Sequence, residues 1–143
     1  MGPSPATDSP TPSGVKPLIF VVDDDPILLE LASGILMSAG YDIKGFTDPA
    51  TALRAFTAAK PPPALVITDY AMGRLSGTDL IRECRRVSPQ QRIVLLSGTA
   101  DESVFASSPS KPDRFLAKPY KSEELIHLVQ SILSNPQAGN HPI

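Results

Sequence analysis

Short apolar runs and amphipathic stretches alternate five times between residues 18 and 134. The runs have the length of strands, whereas the stretches between them repeat apolar positions at helical spacing. The predicted strands are 18–22, 41–46, 64–68, 92–96 and 114–117, and a helix is expected after each of them. Strands that alternate with helices form a parallel sheet covered on both faces. The sequence therefore predicts one α/β domain.

Capping residues indicate where the predicted helices begin and end. Pro26 stands at the start of the first helix and Gly40 just past its end, while Asp48 is the expected N-cap of the second. The fourth helix, near 101–106, is predicted to be short or irregular, and Ser122 is the expected cap of the last helix. The face of the first helix that is expected to point to the core consists of Leu28, Leu31, Ala32, Ile35 and Ala39.

Composition is that of an ordinary globular domain. The chain has 143 residues, of which 41% are hydrophobic and 20% charged, and a formal net charge of -2. The segments 1–17 and 135–143, rich in proline and small polar residues, are predicted to be flexible tails around a domain at 18–134. The single cysteine, Cys84, excludes an internal disulfide and favours a cytoplasmic protein with a buried thiol.

Nucleic-acid and membrane binding are not favoured by the charge and hydropathy patterns. Arg82, Arg85 and Arg86 cluster, but Glu83 interrupts them, so they are interpreted as a solvated helix face. No apolar run approaches the ~20 residues that span a bilayer. The N-terminus has neither the charged nor the apolar region of a secretory signal. We therefore expect no direct contact with nucleic acid and none with a membrane.

Polar side chains follow four of the five predicted strands. They are Asp23, Asp24 and Asp25 after the first strand, Asp69 after the third, Ser97 after the fourth and Lys118 after the fifth. Ligands of open α/β sheets bind outside the carboxyl ends of the strands. Two like charges about 4 Å apart repel by roughly 4 kcal/mol at an effective dielectric constant of about 20, so the acidic triplet favours a bound cation. Mg²⁺ binds carboxylate oxygens readily, which predicts a magnesium site.

The residues at these strand ends suit phosphoryl transfer to a carboxylate. A carboxylate such as Asp69 can attack phosphorus and form an acyl phosphate. The transfer needs a cation on the phosphoryl oxygens, a positive side chain near the developing charge and a further hydrogen-bond donor. The acidic triplet, Lys118 and Ser97 are candidates for these three roles.

Four pieces of the sequence, in this order and on these strands, resemble the receiver domain of two-component response regulators. They are Val21-Val-Asp-Asp-Asp-Pro26, Leu65-Val-Ile-Thr-Asp-Tyr-Ala-Met72 with Gly77 beyond it, Leu95-Leu-Ser-Gly98 and Phe115-Leu-Ala-Lys-Pro119. The resemblance covers about residues 18–134. It implies a flavodoxin-like, doubly wound five-stranded parallel sheet of order 2-1-3-4-5 with five helices.

The resemblance also implies the roles of the site residues. Asp69 would be the phosphoacceptor, assisted by Lys118 and by the hydroxyl of Ser97. The ligands of Mg²⁺ would be Asp23, Asp24, Asp69 and the backbone carbonyl of Ala71. Asp25, directly before Pro26, is interpreted as a helix cap instead. Such a protein is a signalling phosphoacceptor that catalyses only its own phosphorylation and dephosphorylation, so it is not expected to be an enzyme.

A conformational switch and a set of partners follow from the same resemblance. Phosphate on Asp69 would draw Ser97 inward and let Phe115 rotate behind it, which changes the surface near the fourth and fifth helices. The Lys118–Pro119 peptide bond would be cis. The phosphoryl group would come from a histidine kinase, a phosphotransfer protein or a small acyl phosphate. A downstream protein would receive the signal, and a weak homodimer is a further expectation.

The chain departs from the family pattern at three places. Gly73 stands where proline is usual, and the region 99–113 is rich in serine and proline. Because the region 99–113 belongs to the usual output surface of the family, we hypothesise that the signal leaves through another face or through a dedicated partner. Ala71 and Thr99 position an attacking water poorly, so the phosphoryl group is expected to be long-lived.

Two other functions fit parts of the sequence. In a phosphatase of the haloacid-dehalogenase type, Asp23 would be the nucleophile and Asp25 the acid and base. That class needs a late acidic pair for Mg²⁺, and only Glu123 and Glu124 follow the lysine, in the first turn of a helix. It also leaves Asp69 without a role. The second alternative is a degenerate receiver that acts, unphosphorylated, as an interaction module.

Overall fold

A five-stranded parallel sheet forms the centre of the molecule in the computed structural model, which describes residues 16–72, 75–98 and 111–134. Its strands are β1 (Leu18–Val22), β2 (Asp42–Phe46), β3 (Leu65–Asp69), β4 (Ile93–Ser97) and β5 (Arg114–Ala117). They are ordered β2-β1-β3-β4-β5, with every neighbouring pair parallel. The predicted fold class and strand order are therefore confirmed.

The described residues contain four helices. They are α1 (Pro26–Ser38), α2 (Pro49–Ala58), α3 (Gly77–Val87) and α4 (Ser122–Leu133). The predicted helix near 101–106 and both predicted tails lie outside the described residues. None of the four helices has the length and apolar character that crossing a bilayer requires, since the longest, α1, has 13 residues.

The core consists of two apolar layers, one on each face of the sheet. Alternate residues of β1 point to opposite layers, as strand geometry requires: Phe20 and Val22 pack with α2 and α3, whereas Ile19 and Val21 pack with α1 and α4. Strands β3 and β4 are buried along their whole length. Cys84 lies in the first layer, where burial raises the pKa of its thiol to about 12, so the interpretation as a buried thiol is confirmed.

The helix ends confirm two predicted caps and correct a third. Asp25 accepts the N–H groups of Ile27 and Leu28 at 2.9 and 3.4 Å, and Asp48 accepts that of Ala50 at 3.3 Å. Gly40 follows α1 with φ of 102°, a left-handed conformation that favours glycine. Ser122 was the wrong cap for α4, because the N-cap is Lys121, whose N–H donates to the Glu124 carboxylate at 2.8 Å.

The predicted core face of α1 is only partly right. Ala32 and Leu36 are the buried residues of the helix, whereas Leu31 is 57% exposed and Leu28 38% exposed. Apolar residues occur all around α1, so their spacing does not decide which of them face the sheet. The rotation of the helix leaves an apolar surface open to solvent.

Candidate functional site

The strand ends bring the predicted site residues to one edge of the sheet. Asp23 follows β1, Asp69 ends β3, Ser97 ends β4 and Lys118 follows β5. The parallel register places Asp69 beside Leu96 and Ser97 beside Ala117, so the ends of β3, β4 and β5 lie at one level. We call this the carboxyl edge.

Three carboxylates meet at the carboxyl edge. Oxygens of Asp23, Asp24 and Asp69 all lie within 4.8 Å of one another. Asp23 and Asp69 are buried, at 3% and 7% exposure, whereas Asp24 is exposed. Asp25 is occupied with the first N–H groups of α1. Hard oxygen donors of this kind, gathered in one cluster, suit a divalent cation such as Mg²⁺.

Backbone hydrogen bonds hold Asp23 in place. Its Oδ1 accepts the N–H of Asp25 at 2.9 Å, and its own N–H donates to the Phe46 carbonyl at 3.0 Å. Burial raises the pKa of Asp23, and this effect outweighs the opposing pull of the Asp25 N–H and of Lys118. The negative charges of Asp69 and Asp24 add to the rise. The cluster is therefore short of positive charge.

Lys118 is the cation closest to these carboxylates in the described part of the chain. Its Nζ lies 2.8 Å from Asp69 Oδ1 and 3.8 Å from Asp23 Oδ2. Burial alone would lower the pKa of Lys118, but the hydrogen bond to Asp69 and the charges of both aspartates raise it. The ammonium group is consequently charged at neutral pH. The Lys118–Pro119 bond is cis, as expected, and the Lys118 N–H donates to the Ser97 carbonyl at 2.7 Å.

A glycine at the start of α3 lets the helix lie directly against Asp69. A Cβ at Gly77 would lie 2.6 Å from the carbonyl oxygen of Asp69 and 2.9 Å from the Cα of Tyr70. Real Cβ atoms do not come this close, so only glycine fits. The sequence motif includes Gly77, but the sequence alone did not predict its role, because this contact depends on tertiary packing. The absence of a side chain at Gly77 therefore lets the start of α3 pack against the backbone of Asp69 and Tyr70.

The remaining predicted site residues surround this centre. Ser97 is 1% exposed at the end of β4, and Ala71 is exposed two residues after Asp69. Phe115, on β5, is half-buried and lies beside Leu95 of β4. It packs against the apolar layer that includes α2 and α3. Ser97 thus lies at the carboxyl edge, whereas Phe115 lies two residues further back along the sheet.

An apolar cavity opens beside the carboxyl edge. It has a volume of about 410 Å³ and is lined by Asp23, Leu28, Leu31, Lys118, Pro119 and Tyr120. Burial raises the pKa of the Tyr120 hydroxyl. Sequence reasoning missed this cavity, because Leu28 and Leu31 were assigned to the core and Tyr120 carried no recognisable pattern.

Comparisons with curated proteins point to one class of relatives. The chain is 29% identical over 116 residues to the probable transcriptional regulatory protein TcrX of Mycobacterium tuberculosis, covering 80% of this chain and 49% of that protein. It is 32% identical over 115 residues to the DNA-binding response regulator MtrA of Mycolicibacterium smegmatis, covering 80% and 50% respectively. The chain therefore spans about half the length of the curated relatives it matches.

Solved structures agree on the fold and the class. A response regulator receiver domain of Clostridium thermocellum superposes with a TM-score of 0.77 at 25% identity, covering 85% of this chain and 97% of that one. A receiver protein of Sinorhizobium medicae gives a TM-score of 0.75 at 29% identity, with the same coverage. The family model described as response regulator receiver domain matches residues 19–130. The chain belongs to the response regulator receiver domain family of two-component systems.

Proposed function

We propose that Asp69 is the phosphoacceptor of this receiver domain and takes a phosphoryl group from a histidine kinase or phosphotransfer protein. The observation that carries the proposal is the contact of 2.8 Å between the Lys118 ammonium group and Asp69 Oδ1, within a cluster of three carboxylates. A cation and a nucleophile thus lie side by side where ligands of parallel sheets bind. Receiver domains are signalling phosphoacceptors and are generally not classed as enzymes.

The proposed reaction moves one phosphoryl group. A carboxylate oxygen of Asp69 attacks phosphorus, and an acyl phosphate P–O bond forms. The P–N bond of a phosphohistidine breaks at the same time, and its electron pair stays on the imidazole nitrogen, which gains a proton. Lys118 holds Asp69 in position and offers positive charge to the incoming phosphoryl oxygens. Ser97 is the candidate hydroxyl donor to one of those oxygens.

Magnesium fits the donor set at this site. Asp23, Asp24, Asp69 and the carbonyl of Ala71 are the proposed ligands. Bound there, Mg²⁺ would supply the positive charge that a transferring phosphoryl group requires. The hydrogen bond from the Asp25 N–H would hold the Asp23 carboxylate in position as a ligand. The raised pKa of Asp23 supports the proposal, because a cation would relieve the excess of negative charge.

The phosphatase alternative is disfavoured by the contacts of its two essential residues. Asp25, its proposed acid and base, accepts two N–H groups as the cap of α1. Asp23, its proposed nucleophile, is 3% exposed and held by the Asp25 N–H. Asp69 lies directly against the lysine instead. The unphosphorylated interaction module is disfavoured because each residue type that the reaction needs is present.

Output and partners belong to the proposal as well. Ser97 and Phe115 form the proposed switch, and a downstream protein reads the altered surface. We propose a cytoplasmic domain at 18–134 that contacts neither nucleic acid nor membrane directly and catalyses only its own phosphorylation and dephosphorylation. Its acyl phosphate is long-lived, because Ala71 is exposed and offers no acid or amide to position a water.

Incubation with acetyl phosphate and Mg²⁺, followed by intact mass measurement, tests the proposal. We expect the wild type to gain one phosphoryl group and the Asp69→Asn variant to gain none. The matched control is Asp42→Asn, an exposed aspartate at the start of β2, which should be phosphorylated like the wild type. Phosphate release that depends on Asp23 and persists in Asp69→Asn would contradict the proposal and support the phosphatase.

A further inference from the structure

One polar side chain lies inside the apolar layer between the sheet and the helices α2 and α3. Thr68 is 0% exposed near the end of β3, and the alternation of the strand points it to the same face as Val66. Its neighbours across the sheet are Val22 of β1 and Leu95 of β4, both fully buried. A buried hydroxyl reduces stability unless it finds a hydrogen-bond partner, and valine has nearly the same shape without that cost. The contacts of the Thr68 hydroxyl therefore decide its role.

The Thr68 hydroxyl holds the peptide group that joins Asp69 to Tyr70. Its Oγ1 donates to the Asp69 carbonyl oxygen at 3.0 Å. The N–H of the same peptide group, that of Tyr70, donates to the Leu96 carbonyl at 2.8 Å. The start of α3 packs against the same oxygen, since a Cβ at Gly77 would lie 2.6 Å from it. Both polar atoms of this peptide group are thus fixed.

The loop that follows is held at two further points. The Gly77 N–H donates to the Tyr70 carbonyl at 2.9 Å. Met72 is buried again, and its Sδ lies 3.9 Å from Thr68 Oγ1 as a weak second acceptor of the hydroxyl. Ala71, the exposed residue between them, carries the carbonyl proposed as a ligand of Mg²⁺. Thr68 therefore contacts the chain on both sides of that carbonyl.

We propose that Thr68 is a positioning residue of the magnesium site, because its hydroxyl keeps residues 69–72 in the arrangement that binds the ion. The proposal rests on the proposed function, in which Asp69 and the Ala71 carbonyl are ligands. Mg²⁺ demands a near-ideal arrangement of its oxygen ligands, and groups that orient the ligands commonly tune metal affinity. A loop that leaves this arrangement for part of the time binds with an affinity reduced by the fraction that remains competent.

A purely structural role for the hydroxyl leads to a different expectation. The hydrogen bond from Thr68 to the Asp69 carbonyl would then stabilise the fold, and its loss would lower the stability without changing the affinity for Mg²⁺. Metal affinity and stability must therefore be measured separately, on variants that divide the hydroxyl of Thr68 from its methyl group.

Isothermal titration calorimetry of the unphosphorylated full chain with magnesium chloride tests the proposal. Thr68→Val replaces the hydroxyl with a methyl group and should raise the dissociation constant for Mg²⁺ about three- to tenfold. The matched control is Thr57→Val on α2, which removes a hydroxyl that donates to the Leu53 carbonyl at 2.8 Å and should bind Mg²⁺ like the wild type. Equal dissociation constants for the wild type and Thr68→Val would overturn the proposal.

A second pair of variants separates the hydroxyl from packing. Thr68→Ser and Thr68→Ala both lose the buried methyl group, so both should unfold at a lower urea concentration than the wild type. Thr68→Ser retains the hydroxyl and should bind Mg²⁺ like the wild type, whereas Thr68→Ala should bind it as weakly as Thr68→Val does. Equal weakening in Thr68→Ser and Thr68→Ala would show that the affinity follows packing, and would overturn the proposal.

Phosphorylation by acetyl phosphate at increasing Mg²⁺ concentration keeps this proposal separate from the proposed function. In Thr68→Val the Mg²⁺ concentration that gives half the maximal rate should rise by the same factor as the dissociation constant, while the maximal rate stays within about twofold of the wild type. A fall in the maximal rate alone would assign Thr68 to phosphoryl transfer and overturn its role at the metal.

Two outcomes for the wild type divide the claims further. Weaker Mg²⁺ binding by Thr68→Val, together with a wild type that is not phosphorylated on Asp69, would support this proposal and contradict the proposed function. A wild type that binds no Mg²⁺ would overturn both.

Discussion

Two polar clusters lie at opposite ends of the same sheet, and they differ in their balance of charge. At the amino ends of β4 and β5, Arg85 Nη2 lies 2.9 Å from Asp113 Oδ2, which also accepts the N–H of Ile93 at 2.7 Å. Arg85 Nε donates to the Gln91 carbonyl at 3.2 Å, and Gln91 Nε2 donates to the Pro63 carbonyl at 3.0 Å. This amino-edge network joins α3 to two strands with one charge of each sign.

The carboxyl-edge cluster contains the same kinds of group without that balance. Among the described residues, Asp23, Asp24 and Asp69 share one ammonium group, that of Lys118. Burial raises the pKa of Asp23 in spite of that lysine. A balanced network stabilises the fold, whereas an unbalanced one reduces stability and persists where a ligand completes it. The balance of charge therefore distinguishes the structural amino-edge network from the functional carboxyl-edge cluster.

The largest expected effect on stability comes from the balanced network. Asp113→Ala removes the partner of Arg85 and the acceptor of the Ile93 N–H, so the free energy of unfolding should fall by about 2–3 kcal/mol. Urea denaturation measures the loss. The control is Glu83→Ala, whose ion pair with the exposed Arg86 should matter much less. Equal losses in the two variants would show that the Arg85–Asp113 pair stabilises the fold no more than an exposed ion pair does.

Close packing against Asp69 predicts the next largest effect. Gly77→Ala should cost about 1–3 kcal/mol, because the new Cβ overlaps the Asp69 carbonyl and the backbone must shift. Phosphorylation by acetyl phosphate should also become slower. Gly34→Ala is the matched control, since its Cβ meets nothing and alanine favours the helix by about 0.5–1 kcal/mol. A Gly77→Ala variant as stable as the wild type would show that the start of α3 adapts freely.

Removal of one charge from the carboxyl edge should raise the free energy of unfolding, whereas the two preceding substitutions lower it. Asp23→Asn keeps an oxygen that can accept the Asp25 N–H and relieves a buried charge. Without metal ions the variant should be more stable than the wild type by about 0.5–2 kcal/mol. Substitutions that remove an unfavourable interaction from a functional site commonly have this effect. Thermal unfolding in a chelator measures the gain. Mg²⁺ should stabilise the wild type and have little effect on Asp23→Asn. A variant less stable than the wild type would show that the charge of Asp23 does not reduce stability.

A smaller effect follows from the pKa of Asp23. Since that pKa is raised above its ordinary value of 3.8, the folded state binds the proton more tightly than the unfolded state. The contribution of this group to stability is fully present below the unfolded pKa and is lost as pH rises through the folded pKa. The difference in stability between wild type and Asp23→Asn should therefore shrink in acid. A stability difference that does not change with pH would show that it does not arise from the ionisation of Asp23.

Sequence patterns predicted the sheet and the residues at its carboxyl edge for a physical reason. Parallel strands that alternate with helices place all strand ends at one level, so local signals suffice to bring Asp23, Asp69 and Lys118 together. Caps that depend on neighbouring residues, such as Asp25 and Asp48, were equally predictable.

What the sequence did not predict depends on tertiary contacts. Arg85 was interpreted as part of a solvated helix face, but it is half-buried and bonds to Asp113, which lies 28 residues away in sequence. The exposure of Leu31 depends on how α1 rotates against the sheet, and many apolar residues on that helix make several rotations plausible from spacing alone. The role of Gly77 likewise depends on a backbone that approaches from another strand.

Asp69, and not one of its acidic neighbours, is the proposed reacting carboxylate. Reduction of the phosphorylated protein with borohydride converts an acyl phosphate of aspartate to homoserine, which marks the modified position for peptide mass spectrometry. We expect homoserine at position 69 and at no other aspartate, with none formed when Mg²⁺ is chelated beforehand. Homoserine at position 23 or 24 would contradict it.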